Sequence, residues 1–399
     1  MSVGAPEVPV RSSRVAVTAA YAAQGLGYAV VVTSLPLLKQ RYGIDDTAVA
    51  LLVLLVCVTA ACGSVLADVL AKWRGSRVAL AVGLVIEVTG LVLVAADSPF
   101  PLFVAGFGIY GVGLGAVDAS GAMQGVLIQR RYGRDIMGGY FAAATGAGIV
   151  GALAVAGGSA LGLPSGTVLL FAAVVAGSVA LLGVGRFDRS RAATPVGSHT
   201  KAPLPRTGMW LFGFVILAAF TLDSGVSTWS TVYLNDDLLA AAAIAPLGYA
   251  AYQAAVLVTR LAADRATRRW GRQRVVVTAT CVSILGCIVV AFLPFVGAAI
   301  AGFALAGVAV GALVPLAFTS AGALEPARGD EVIARVNLFN YAGAVLGAVL
   351  IGLLADGPGL AIAFLLPAVA LVGVLFAARR FRAPVPVGAD SDVEAAVPR

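Results

Sequence analysis

Residues 64–77 read SVLADVLAKWRGSR, and residues 260–274 read RLAADRATRRWGRQR. Each closes a long apolar run with an aspartate, then a cluster of bases around a tryptophan and a glycine. Asp68 and Asp264 are 196 residues apart. The echo continues: Asp135 and Asp330 are 195 residues apart, as are Gly148 and Gly343. Weak self-similarity at about half the chain length points to two copies of one unit.

The runs around these stretches set the fold class. The 399 residues are 60% hydrophobic and 12% charged, with a mean hydropathy of +0.97. A soluble domain is about 45–50% apolar and about 25% charged, and it must still cover itself with polar surface. Disorder, a disulfide scaffold and a cytosolic enzyme are excluded. The 48 glycines fit close helix packing in a bilayer. About 20 apolar residues cross the hydrocarbon core. By that measure the chain offers twelve spans: 15–38, 48–71, 78–96, 102–128, 136–162, 166–185, 208–234, 239–262, 275–293, 297–322, 336–355 and 359–378. Pro36, Pro315 and Pro367 interrupt spans, which membrane helices tolerate. The first run reads as a retained span, too long for a signal-peptide core. Cys57, Cys62, Cys281 and Cys287 all lie in apolar runs and read as membrane thiols.

The bases orient the spans. With the N-terminus in the cytoplasm, 25 of the 27 Lys and Arg residues fall on that side, as cytoplasmic loops require. Only Lys39 and Arg41 are left outside, and the six bases from Arg260 to Arg274 are counted to the loop after span 8. This confinement of the bases to short clusters between long apolar runs argues against a nucleic-acid face. Residues 186–207 form the one long polar stretch inside the chain. The expected organisation is a cytoplasmic tail 1–14, a six-helix half 15–185, a cytoplasmic linker 186–207, a second half 208–378 and a cytoplasmic tail 379–399.

With its twelve spans, six-plus-six split and twice-present loop motif, the sequence resembles the major facilitator superfamily. The motif has the form G-x-x-x-D-R-x-G-R-R. In the first copy Ser64 stands at the opening glycine and Val69 at the basic position. In the second, Arg260 replaces that glycine, while Asp264 and Arg265 keep the central pair. LGAVDASGAMQG (114–125), RRYGRDIM (130–137), LDSGVSTWSTVYL (222–234) and GYAAYQAAVLVTRLAADR (248–265) are similar to a poorly characterised bacterial branch related to sugar:proton symporters. Ala122 and Phe141 depart from that branch, which would have Asn and His there. The resemblance implies an all-α, polytopic membrane protein with twelve transmembrane helices in two pseudo-symmetric six-helix halves. It also implies a cytoplasmic gate using Asp68, Arg77, Arg134, Asp264 and Arg265. An acid facing a helix N-terminus and a neighbouring arginine suits that task; the alternative is that these charges only fix topology.

Three carboxylates lie well inside apolar runs: Glu87, Asp118 and Asp223. A charge at a helix centre costs about 2.5–3.5 kcal/mol on insertion scales, so such groups face the bundle interior or water. They are the candidates for proton coupling; the alternative is a structural bond between helices. The resemblance implies that spans 1, 4, 7 and 10 line the cavity, and Asp118 and Asp223 sit on two of them. It places span 3, with Glu87, at the periphery. Helical spacing adds Tyr21, Gln24 and Tyr28 in span 1 and Ser227 beside Asp223. Trp229, Tyr252, Gln253, Asn337, Asn340 and Tyr341 complete the cavity candidates, with interhelical bonding as the alternative.

No Lys or Arg is expected deep in a span, which favours a neutral or cationic substrate over an anion. The single histidine, His199, lies in the linker, so no histidine relay or metal cluster is expected. Without a phosphate-binding G-x-x-x-x-G-K-[ST] loop, direct ATP use is not expected. Two marks of drug antiporters, an arginine in span 4 and a Gly-Pro step in span 5, are absent. The resulting expectation is a non-enzymatic, cofactor-free, proton-coupled secondary transporter of a small neutral polar solute such as a sugar. It would act as a monomer in the lipid bilayer of a bacterial cytoplasmic membrane. The alternative is a proton-coupled exporter of cationic or amphipathic compounds.

Overall fold

The computed structural model describes residues 9–133, 136–189, 205–325, 328–355 and 357–382. Among them every regular element is helical. The first half contains α1 (Val10–Thr33), α2 (Asp46–Arg74), α3 (Ser76–Ala95), α4 (Phe100–Tyr132), α5 (Met137–Ala160) and α6 (Ser165–Gly183). The second contains α7 (Arg206–Val232), α8 (Pro246–Trp270), α9 (Arg272–Phe292), α10 (Val296–Gly322) and α11 (Gly329–Val345). It ends in α12, built from Leu360–Ala363 and Leu365–Ala377. Eleven of the helical segments are long and apolar enough to cross a bilayer. The remaining one, α8, has the length, 25 residues, but carries Tyr249, Tyr252, Gln253, Arg260 and Asp264.

Local chemistry sets the helix ends. Asp45 caps α2 by accepting from the Ala48 amide at 2.7 Å, and Lys72 and Arg74 in the last turn complement its dipole. The two basic stretches then turn the chain in the same way. Gly75 (φ 89°, ψ 156°) separates α2 from α3, and Gly271 (φ 82°, ψ 150°) separates α8 from α9. Only glycine holds that backbone without strain, and the two are 196 residues apart.

The packing repeats with that same offset. A methyl on Gly115 would strike the Ala60 carbonyl, and one on Gly311 the Val256 carbonyl. A methyl on Gly90 would strike Tyr110, and one on Gly286 would strike Ala306. Glycine lets these helix backbones touch. The surface is a belt of apolar side chains, including Leu181 (78% exposed) and Phe376 (80% exposed), which lipid covers.

Several expected boundaries move. The first span breaks at Ser34 and resumes as Leu35–Tyr42, because Pro36 has no amide to continue the ladder. Helix α7 runs on through a π turn, Tyr233–Asp237. Helix α11 likewise runs on through a π turn, Leu346–Leu350, into a last helical turn, Ile351–Ala355. The largest correction is span 8. Residues 242–245 form a turn, Leu239 adopts φ 52°, and α8 begins at Pro246, where a missing amide costs nothing. Arg260, expected in a loop, therefore lies 14 residues into α8, about 21 Å along its axis.

Candidate functional site

The first polar centre belongs to α1 and α4. Asp118 lies two residues from the middle of the long α4 helix, yet its side chain is exposed. At that depth, exposure means a space between the halves. Gln24 of α1 is buried and donates to Asp118 Oδ1 at 2.7 Å and to the Leu114 carbonyl at 3.3 Å. Tyr21 stacks on Tyr140 with centroids 5.3 Å apart and meets Phe141 edge-on at 5.7 Å. Tyr341 of α11 approaches from the other half, within electrostatic range of Asp118.

The second centre belongs to α7 and α8. The Tyr252 hydroxyl donates to Asp223 Oδ1 at 2.7 Å. One turn away, Gln253 donates to the Tyr249 hydroxyl at 2.7 Å. Tyr28 of α1 lies within electrostatic range of Asp223 and Tyr249. Arg260 belongs to this centre too, within electrostatic range of Asp223 and Tyr252. Its Nη1 donates to the Thr145 hydroxyl of α5, in the opposite half, at 3.3 Å. A cation at this depth removes the ground for expecting a neutral or cationic substrate. Arg260 lies that deep because α8 begins at Pro246, seven residues after the expected start of span 8.

The other candidates separate by position. Glu87 is fully buried, not lipid-facing, and a methyl on Gly27 of α1 would sit 3.1 Å from its Oε1. Neither carboxylate oxygen has a hydrogen-bond partner among the described residues, nor has the buried Tyr110 hydroxyl. Trp229 is fully buried, and its indole donates to the Ala348 carbonyl at 2.8 Å. A methyl on Gly352 would touch both Trp229 and Ala50, so this ring fills a junction of α2, α7 and α11. Asn337 and Asn340 are half-exposed along α11, and Tyr341 is 53% exposed.

The two ends of the bundle differ. At the basic end, Asp68 pairs with Lys72 of its own helix at 2.5 Å. Asp264 and Arg265 are exposed without an ion pair among the described residues, and the Arg77 Nε is buried without a hydrogen-bond partner. Arg134 lies outside the described residues. Gln124, which the sequence reading passed over, clasps the Asp188 backbone at 2.8 and 3.0 Å. Arg131 binds the buried Asp188 carboxylate at 2.5 Å.

At the opposite end, Lys39 binds Asp46 of α2 at 2.5 Å and Asp236 after α7 at 2.6 Å. This pair ties one half to the other. Burial alone would pull the Lys39 ammonium down, but its bonds to Asp236 and Asp46 outweigh that and hold it above its ordinary value. A signal for it existed: Lys39 and Arg41 are the two bases on a side that also carries Asp45, Asp46, Asp236 and Asp237. Arg41 stays within its own half, donating to Ser165 Oγ at 2.6 Å. The bundle is thus latched at the Lys39 end. On the basic side of that latch, the mid-depth Asp118, Phe141 and Tyr341 are exposed.

The chain has recognisable relatives. The family model described as Major Facilitator Superfamily matches residues 209–398. An uncharacterised MFS-type transporter of Yersinia pestis is 30% identical over 375 residues, covering 93% of this chain and 96% of the relative. Among solved structures, a mutant of the nucleoside transporter NupG has a TM-score of 0.74 at 13% identity, covering 93% of this chain and 100% of NupG. A bacterial homologue of the human lysosomal transporter Spinster, inward-facing and occupied, has a TM-score of 0.67 at 15% identity, covering 94% of this chain and 97% of that one. These two likenesses concern the fold. The chain is a polytopic membrane transporter and belongs to the major facilitator superfamily.

Proposed function

We propose that the protein is a proton-coupled secondary transporter of a small polar solute. The two halves rock around a site between Asp118 and Asp223, with the basic end in the cytoplasm of a bacterial cell. Parallel halves with a midplane site are a common transporter design. Taking the positive-inside rule as the guide, the described conformation is inward-facing: latched outside by Lys39 and open inside.

The observation that carries the coupling is the environment of Asp118. It is a mid-depth carboxylate, reached from the open end, and its hydrogen-bond partner is the neutral amide of Gln24. A carboxylate held by a neutral donor, with no ion pair to a cation among the described residues, can give and take a proton as the cavity changes sides. One proton moved through 100 mV is worth about 2.3 kcal/mol, or roughly fifty-fold accumulation.

The test is solute-driven proton movement in proteoliposomes carrying an internal pH dye. Sugars, polyols and nucleosides form the panel, the last because the NupG fold is shared. Asp118→Asn is expected to abolish proton movement while leaving solute exchange between equal pools within about threefold, since exchange needs no net proton transfer. Proton movement that survives in Asp118→Asn would refute this coupling site. Flux of lipophilic cations alone would favour the exporter reading.

A further inference from the structure

We infer that Arg260, positioned by Thr145 of the opposite half, seats an anionic group of the transported solute, in the first instance a carboxylate. The inference deepens the proposed function and rests on it.

Depth is the first argument. The Arg260 backbone nitrogen would stand 3.2 Å from a methyl on Gly311, and Gly311 is two residues from the middle of α10, about 3 Å along the axis. Arginine at such depth faces the bundle interior or water and marks a substrate or ion pathway. Helix α8 shows which side is which. Val258 and Leu261 are 66% and 69% exposed on its outer face, whereas Tyr249, Tyr252 and Val256 are buried and Arg260 reaches across to the other half.

The second argument is the internal repeat. The residue 196 positions before Arg260 is Ser64, whose hydroxyl donates to the Gly115 carbonyl at 3.2 Å. That contact fastens α2 to α4. Helices α8 and α10 make the matching approach through Gly311 with the larger Arg260 in the serine's place. Close packing asks for a small residue at this position, so the guanidinium answers another need.

Hydrogen bonding supplies the third. A guanidinium has five N–H donors. The bond to Thr145 uses one, and Thr145 already donates to the Phe141 carbonyl at 2.9 Å. Arg260 forms no ion pair among the described residues, and none of its nitrogens is a buried atom left without a partner. The nearby Asp223 carboxylate is held by Tyr252. On this half-buried residue any donor without a partner is therefore accessible, and a guanidinium's planar fork binds a carboxylate through two parallel bonds. Thr145 belongs to the other half and has given its one proton to Phe141, so it positions the guanidinium rather than binding the carboxylate, and a carboxylate on Arg260 would sit where the halves meet. Hydroxyls elsewhere on the solute would meet Gln24, Gln253 and Tyr341.

The purified full chain can be tested with four probes sharing one ring: glucose, glucuronate, glucose 6-phosphate and glucosamine. Affinity is read from ligand-dependent thermal stabilisation. Glucuronate is expected to bind most tightly. Arg260→Gln should weaken it about 30-fold or more and shift glucose by no more than about threefold. Arg260→Lys, which keeps the charge but loses the fork, should fall between. Thr145→Val should weaken glucuronate about fivefold, and it serves as the second variant should Arg260→Gln fail to fold. Tighter binding of glucose 6-phosphate, equally dependent on Arg260, would support the seat and assign it to phosphate.

Preference for glucose or glucosamine, unchanged anion affinity in Arg260→Gln, or no anion binding at all would each overturn the inference. Proton movement driven by glucose would leave the transporter reading intact while the anion seat fails. Glucuronate binding through Arg260 without any proton movement would do the reverse.

Discussion

Asp118 and Asp223 are the same residue type at similar depth, and their neighbours divide them. Asp118 has an amide at 2.7 Å; Asp223 has a phenol at 2.7 Å and an arginine in electrostatic range. Arg260 can offset a charge on Asp223, while Asp118 is the acid with a neutral partner. Glu87 is a different case, since both its oxygens are buried without a bond among the described residues. Replacing an unsatisfied buried polar group by an apolar one stabilises. Glu87→Leu is expected to raise stability by about 1 kcal/mol, a few degrees in midpoint by scanning fluorimetry. A fall of that size would mean that Glu87 bonds in another conformation.

At the scale of single helices, the repeated contacts show how the halves are built. Gly115 and Gly311 let α4 and α10 touch α2 and α8 backbone to backbone. Adding side-chain volume there forces the helices apart, at about 1–3 kcal/mol. Gly311→Val should lower the thermal midpoint and displace Arg260 with α8, weakening ligand binding as well. Gly115→Val should destabilise by a similar amount. A neutral result for both would show that the helices separate without cost. The turn glycines predict a smaller effect: Gly271→Ala, forced to φ 82°, should cost about 1 kcal/mol. Helix α8 also shows the limit of reading hydropathy along the chain. Its inward stripe of Tyr249, Tyr252, Gln253 and Arg260 lowers the mean below that of a lipid-exposed span. The apolar window therefore slid toward the loop before it.

Over the whole molecule, the Lys39 latch sets the conformation. Lys39 and Asp236 are 17% and 24% exposed, so solvent screening leaves the pair worth about 1 kcal/mol. Lys39→Met should move the population toward the state open at that end by about fivefold. A cysteine replacing the buried Ala50, in a background without the four native cysteines, should then label faster. An unchanged labelling rate would remove the latch from the gating mechanism. The pH dependence has a definite sign. Lys39 is held above its ordinary 10.5, so its contribution is complete below that pH and fades only as pH rises through the elevated value. On the lysine's account, the ratio of labelling rates between Lys39→Met and the parent, in which the thiol's own ionisation cancels, should stay flat between about pH 7 and 9 and fall toward one only in strong alkali.

What the sequence determined alone is the class of molecule: helical, membrane-spanning and doubled. Apolar run length, the one-sided bases and the 196-residue echo are properties of the chain read in order, and lipid and helix geometry leave them few solutions. Gln24 beside Asp118 and Tyr252 beside Asp223 were partly legible, because helical spacing puts each on a polar stripe. The pairing of Lys39 with Asp236, the junction around Trp229 and the reach of Arg260 to Thr145 were not. Each joins residues more than a hundred positions apart, on helices whose mutual rotation depends on how glycines pack. Only the assembled bundle turns Arg260 from a loop charge into a cation facing the cavity.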